Sequence, residues 1–150
     1  MKVLLGVVIA ASVLTTSVQA SNIMDELTET ETTADCAEDT SYSLLRGNNL
    51  NYGSIKISKI ASNEIAIYGL SQCHRECDEV WLELFLEQKD NGSYYTYRNW
   101  DFYDTNKTSL SASLTVIVPK GHYYRLRGYH AAKDGSKEAT TTLTDGIWVG

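Results

Sequence analysis

The sequence contains no Gly-x-Ser-x-Gly, no His-Glu-x-x-His and no phosphate-binding loop. Those absences leave no motif-level case for a nucleophile-elbow hydrolase, a zinc protease of the helical type or a P-loop nucleotidase. Apolar runs are as scarce. After residue 20 none is long enough to cross a ~30 Å hydrocarbon core. Helical periodicity is missing from residue 52 onward, and basic residues are missing between Asp25 and Asp39. Histidine and cysteine, the residues of most transition-metal and all thiol chemistry, number only three each.

The one early apolar run, Val3 to Leu14, follows Met1-Lys2 and leads to Val18-Gln19-Ala20. A positive charge, a short apolar core and a small-x-small end have the layout of a secretory signal. As a helix rising ~1.5 Å per residue, the run reaches about 18 Å, too short for a membrane span. No cysteine follows it to carry a lipid. The expectation is a signal peptide over residues 1–20 and a secreted, extracellular mature form with no membrane association.

The acidity is local. Asp25, Glu26, Glu29, Glu31, Asp35, Glu38 and Asp39 lie in one stretch, whereas from Thr40 onward acids and bases are equal in number. A near-neutral body argues against nucleic acid, which rewards clustered Lys and Arg. Residues 21–41 hold too little apolar surface to offset the entropy of ordering them. They read as an acidic disordered leader, and residues 42–150 as a single domain of ordinary size.

Within that domain the period is two. Ile55 and Ile57 alternate with polar neighbours between Ser54 and Ile60, and Ile65 and Ile67 do so between Glu64 and Leu70. Val80, Leu82, Leu84 and Leu86 share one face. Asn91-Gly92 signals a two-residue hairpin, since both positions tolerate positive φ. Tyr94–Tyr103 then returns. Leu110, Ala112, Leu114, Val116 and Val118 form the next face, closed by Pro119-Lys120-Gly121. Tyr123–Ala131, a turn at Asp134-Gly135 and Ala139–Val149 complete the chain. About seven short antiparallel strands predict a mainly β domain, a two-sheet sandwich of the immunoglobulin or fibronectin III-like kind. An up-and-down barrel or jelly roll is the alternative.

In an oxidising, exported setting Cys73 and Cys77 are expected to form a disulfide. A straight strand would hold them about 13 Å apart, so the chain must bend there to bring their Cα atoms within ~7 Å. Cys36 is then the odd thiol, free, paired between molecules, or exchanged for one of the other two. The spacing of Cys36, Cys73, His74 and Cys77 fits no known zinc knuckle, so neither metal nor cofactor is expected. His122 and His130 share a strand face but stand ~27 Å apart if it is straight. Glu83 and Glu87 are ~13 Å apart, beyond the ~5–9.5 Å of glycosidase carboxylate pairs. No enzyme is expected.

Aromatics crowd one segment: Tyr94, Tyr95, Tyr97, Trp100, Phe102 and Tyr103. Strict alternation puts Tyr94, Trp100 and Phe102 on one face and Tyr95, Tyr97 and Tyr103 on the other. One set can be core; the second is offered to solvent or a partner. Aromatic faces give large contact area at low entropy cost and stack on sugars or apolar groups. Arg125 and Arg127 share a face with Tyr123 and Tyr129 and could add an anion contact. The candidate ligand-binding residues are therefore Tyr95, Tyr97, Tyr103, Arg125 and Arg127. The plainer alternative is cross-strand aromatic packing with Arg laid over the rings and paired to acids.

The run Cys73-His74-Arg75-Glu76-Cys77-Asp78 and the stretch from His122 to His130 resemble a family of small secreted proteins of clostridial-type Gram-positive bacteria, known only as a domain of unknown function. The likeness extends over most of residues 40–150 and implies export and one compact domain, with no catalytic residue. The segment from Gly121 to Glu138 also resembles, over about thirty residues, the final hairpin of fibronectin type III domains. The expected function is a secreted, non-enzymatic binding module presenting an aromatic sheet face to an extracellular glycan, peptide or protein. Its alternatives are an exported or toxin-like factor with an acidic pro-segment and, last, a hydrolase.

Overall fold

Ile55, Ile57, Ile65, Ile67, Leu82, Leu84 and Leu86 are all buried, so each alternation read above becomes one face of a strand turned to a common interior. The computed structural model describes residues 30–43 and 47–150. The expected signal peptide lies outside the described residues. The elements are β1 (Glu31–Thr32), β2 (Cys36–Tyr42), β3 (Leu50–Ala61), β4 (Glu64–Asp90), β5 (Ser93–Ile117), β6 (His122–Asp134), β7 (Ser136–Leu143) and β8 (Gly146–Val149). The mainly β class holds.

The strands belong to one eight-stranded sheet with the order β1-β8-β6-β4-β3-β2, in which β5 also pairs with β4 and β7 with β6. It is mixed, because β1 runs parallel to β8. Two strands expected on each side of Asn91-Gly92 are in fact continuous. β4 has 27 residues and β5 has 25, and they pair along nearly their whole length. The front half of β4 also pairs with β3, the rear half with β6. The long β4–β5 ribbon therefore folds the sheet over on itself, and its ends nearly meet.

The fold falls where β4 carries extra residues. Gln72 faces Ser109 and Cys77 faces Lys107, so Cys73–Glu76 stand opposite Thr108 alone on β5. Asn106 takes φ 54° at the same level of β5, a left-handed conformation that asparagine tolerates better than most residues. The hairpin read from Asn91-Gly92 is present, with φ 49° and 86°.

The acidic stretch departs from expectation. Cys36–Tyr42 is not a disordered leader but β2, paired in register with β3 from Cys36–Ser58 to Tyr42–Tyr52. Its inward side carries only Ala37 against the core, with Asp39 and Ser41, so hydrophobic pattern gave almost no signal. What holds it is the β3 ladder on one edge and side chains on the other. The Leu143 N–H donates to Asp39 Oδ2 at 2.9 Å, and the Ser41 and Thr140 hydroxyls bond at 2.8 Å.

The interior between the two halves is filled by the isoleucines and leucines named above with Val116, Val118, Tyr124, Leu126, Ile147 and Val149. Each such burial contributes about 1.5–3 kcal/mol. A polar device closes the far corner. The buried Glu138 carboxylate accepts backbone N–H bonds from Asn48, Asn49 and Leu50 at 3.1, 3.1 and 3.0 Å, tying the start of β3 to β7.

Candidate functional site

Along the rear half of β4 the residues turned away from the core are Glu79, Trp81, Glu83, Phe85 and Glu87. Register places Tyr103 and Ala131 beside Trp81, Asp101 and Tyr129 beside Glu83, Asn99 and Arg127 beside Phe85, and Arg125 beside Glu87. An outer face of alternating aromatic and charged rows results. Trp81 and Tyr103 are tilted against each other with ring centroids 5.5 Å apart. Lys137 of β7 lies over both the Trp81 and Tyr129 rings, at 4.3 and 5.5 Å. The Tyr103 hydroxyl donates to Glu79 Oε2 at 3.4 Å, and Lys133 Nζ donates to Glu79 Oε1 at 2.7 Å. The lysine holds the Glu79 carboxyl below its ordinary range, and Glu79 in turn raises Lys133. Partial desolvation, then the Glu79 charge, raises the Tyr103 hydroxyl.

The five candidate binding residues do not all share this face: Tyr103, Arg125 and Arg127 do, Tyr95 and Tyr97 do not. Between the pairs Leu86–Arg98 and Glu87–Thr96, β5 has one residue too many, Tyr97. Such a bulge reverses the side of every residue beyond it. Tyr103 stays outside and is 55% exposed. Tyr97 instead packs against the core, edge-on to Tyr124 at 6.1 Å. Tyr95 is 46% exposed but lies on the Tyr124 side, where burial, and then the nearness of the Tyr97 and Tyr95 hydroxyls, pushes Tyr124 up to about 12. Tyr94, assigned by alternation to the core, is on the outer side, with the Arg125 guanidinium 4.0 Å from its ring centroid. The grouping of Tyr95 and Tyr97 with Tyr103 is corrected accordingly.

Arg125 and Arg127 are brought together, on one carboxylate. Their Nε atoms donate to Glu87 Oε2 at 2.7 Å and Oε1 at 2.8 Å. Arg127 also lies 4.3 Å from the Phe85 centroid. Glu87 is buried, as is Arg125, while the Arg127 side chain is 41% exposed. Arg127 is thus the arginine that keeps a surface to offer. Sequence reasoning named Tyr129 only as a neighbour of the two arginines and missed Trp81, Phe85 and Lys137, although Trp81 and Phe85 alternate with the leucines between Val80 and Leu86.

The cysteines differ from expectation. The chain makes the bend that a Cys73–Cys77 disulfide requires, yet Cys36, Cys73 and Cys77 are free thiols. Cys73 donates its S–H to the Cys77 sulfur, in a small buried cluster with Leu50, Val80 and Ala132. Burial, then that hydrogen bond, pushes Cys73 up to about 12. Among the described residues no cluster of His, Cys, Asp or Glu could hold a metal ion.

One histidine does stand beside hydroxyls. His130 is fully buried between the halves, with Nδ1 3.1 Å from Ser71 Oγ and Nε2 2.8 Å from Thr142 Oγ1. The single Ser71 proton goes to the Trp81 carbonyl at 2.8 Å. Nδ1 is therefore the donor to Ser71, and Nε2 accepts from Thr142. Ser71 is fully buried too, so this pair cannot meet a substrate and serves packing. A shallow groove of about 260 Å³ lies on the outer side of β3, β4 and β5, lined by Lys56, Ser58, Ala66, Tyr68, Ser113 and Thr115 among others.

A family model described as a family of unknown function (DUF6147) matches residues 24–146. No curated protein matches the chain. A solved structure, the sporulation control protein Spo0M of Bacillus subtilis, is 10% identical over 76% of this chain and 50% of its own, with a TM-score of 0.39. The chain thus spans half the length of that protein.

Proposed function

We propose, from the premise that the chain belongs to the family of unknown function DUF6147, that it is a secreted, non-enzymatic binding module whose outer β5–β4–β6–β7 face recognises a glycan. The observation that carries the reading is the Trp81–Tyr103 pair flanked by Tyr129 and Lys137 on an open sheet surface. Flat aromatic rings stack on the apolar faces of sugars. Glu83, Asp101 and Arg127 in the adjoining rows supply the acceptors and donors that sugar hydroxyls need. The non-enzymatic part is supported by the Ser71–His130 pair, which is sealed and already committed to structural partners. We also read the folded sheet as a sandwich whose two layers share β4 and β5, because β3 packs on β6 and β2 on β7.

The test is a binding screen of the chain against immobilised glycans, peptidoglycan fragments and mucin. Trp81→Ala and Tyr103→Ala are expected to abolish binding, whereas Tyr95→Ala, on the other side of the strand, keeps it. Binding that survives Trp81→Ala with the fold intact would sink the proposal.

A further inference from the structure

A strand at the edge of a sheet leaves a row of N–H and C=O groups without ladder partners, and proteins usually guard such edges with charge, proline, bulges or cover. Here the β2 edge is covered, because Asp39 and Ser41 bond across to Leu143 and Thr140 of β7. β5 is different. Along its 25 residues it pairs, among the described residues, with β4 alone. Its first part is guarded: Tyr97 forms a bulge, Arg98, Asp101, Asp104 and Lys107 carry charge, and Asn106 kinks the backbone. Every one of those devices stops at Lys107. From Thr108 to Val118 there is no charged residue and no proline, and Ser109–Ile117 pairs with β4 without a shift in register.

The open segment is nearly symmetric in sequence. Ser109-Leu110-Ser111-Ala112-Ser113-Leu114-Thr115 reads almost the same in both directions from Ala112. Laid antiparallel on a second copy about a two-fold axis at Ala112, it sets Leu110 opposite Leu114 of the second copy. Ser111 then meets Ser113, and Ser109 meets Thr115. Both sides of the strand match at once. Leu110, Ala112 and Leu114 are half-buried against the core, with a flank that a neighbouring strand would cover. Ser111 and Ser113 are exposed on the other side. Backbone groups alone would accept any extended peptide, but a local two-fold in the sequence favours self-pairing, since the interface of a two-fold dimer is the same patch on both copies.

We infer that two copies of this chain associate edge to edge through Ser109–Thr115 of β5, antiparallel about Ala112, continuing the sheet from one copy into the other. The inference does not rest on the glycan reading. Trp81 and its neighbours lie on the rear half of β4, beyond the fold in the ribbon.

Analytical ultracentrifugation of the chain in reductant, so that Cys36 cannot link copies, tests it. The unaltered chain is expected to sediment as a dimer. The double variants Ser111→Lys/Ser113→Lys and Ser111→Glu/Ser113→Glu each place like charges opposite one another across the joint, which destabilises a strand pair. Each is expected to be monomeric with an unchanged circular-dichroism spectrum and a cooperative melt, its midpoint lowered only by the stabilisation that dimerisation gives the unaltered chain. Mixed in equal amounts, the lysine and glutamate variants are expected to form dimers again, because every introduced lysine then meets an introduced glutamate. A monomeric unaltered chain, a dimer that persists in both variants, or folded variants that fail to associate on mixing would each overturn the inference.

Discussion

Tyr103 of β5 leans on Trp81 of β4 with ring centroids 5.5 Å apart, and its hydroxyl reaches Glu79 on the same β4 face. The contact fixes the tilt of the tyrosine while its ring stays largely open to solvent. Arg127 and Arg125, locked onto Glu87, hold the far end of the face in the same way. A surface whose rings are already positioned loses little side-chain freedom when a ligand arrives.

His130 makes stability depend on pH in a defined direction. Burial lowers it from 6.5 to about 4. Between those values the unfolded chain binds a proton that the folded chain refuses. Its contribution is therefore fully present above about pH 6.5, declines as pH falls, and is exhausted below about pH 4, with roughly 3 kcal/mol at stake. Urea titrations at pH 7.5 and 4.5 should show a larger loss for the unaltered chain than for His130→Gln. Equal losses in both would contradict the assignment.

Glu138 is expected to be among the costliest single positions outside the apolar core. Glu138→Ala strips the acceptor from three backbone N–H groups, two of them on buried residues. The expected loss is about 3 kcal/mol or more in chemical denaturation. Amide exchange at Asn49 and Leu50 should accelerate, and exchange confined to its unaltered rate would show that the carboxylate is not what orders this corner. Gly47 belongs to the same device, since a Cβ there would stand 2.0 Å from the Glu138 carboxylate. Gly47→Ala should also destabilise.

Cys73 and Cys77 are poised to join. Exchange with oxidised glutathione would couple the two sulfurs, each losing its hydrogen, while the reagent is reduced to two thiols. Because burial keeps Cys73 protonated to about pH 12, the reaction should be slow at neutral pH and speed up as pH rises. Peptide mapping by mass spectrometry reads the 73–77 link. Exposed Cys36 should be modified first; a Cys36 link to either of the other two would contradict the pairing.

The buried halves of the strands were legible from sequence because isoleucine and leucine recur at period two and the Asn91-Gly92 turn has few other conformations. What could not be read was continuity. Ser71–Glu79 and Asp104–Ser109 look like loops by composition, yet the first holds a fold in β4 through its extra residues and the second keeps pairing past Asn106. The aromatic site was half legible for a related reason. One bulged residue, Tyr97, moved Tyr94 outward and Tyr95 and Tyr97 inward, and alternation carries no warning of a bulge. β2 was missed because its order comes mainly from a ladder and from side-chain bonds to β7, with Ala37 alone adding apolar contact to the core.

The most direct test of the proposed glycan-binding face uses the three tryptophans, Trp81, Trp100 and Trp148. The variant Trp100→Phe/Trp148→Phe leaves Trp81 as the one indole, and its emission can be followed while a glycan found in the screen is titrated in. The account predicts a saturable change in Trp81 emission that tracks the binding isotherm and vanishes with Tyr103→Ala. Full binding with unchanged Trp81 emission would contradict it.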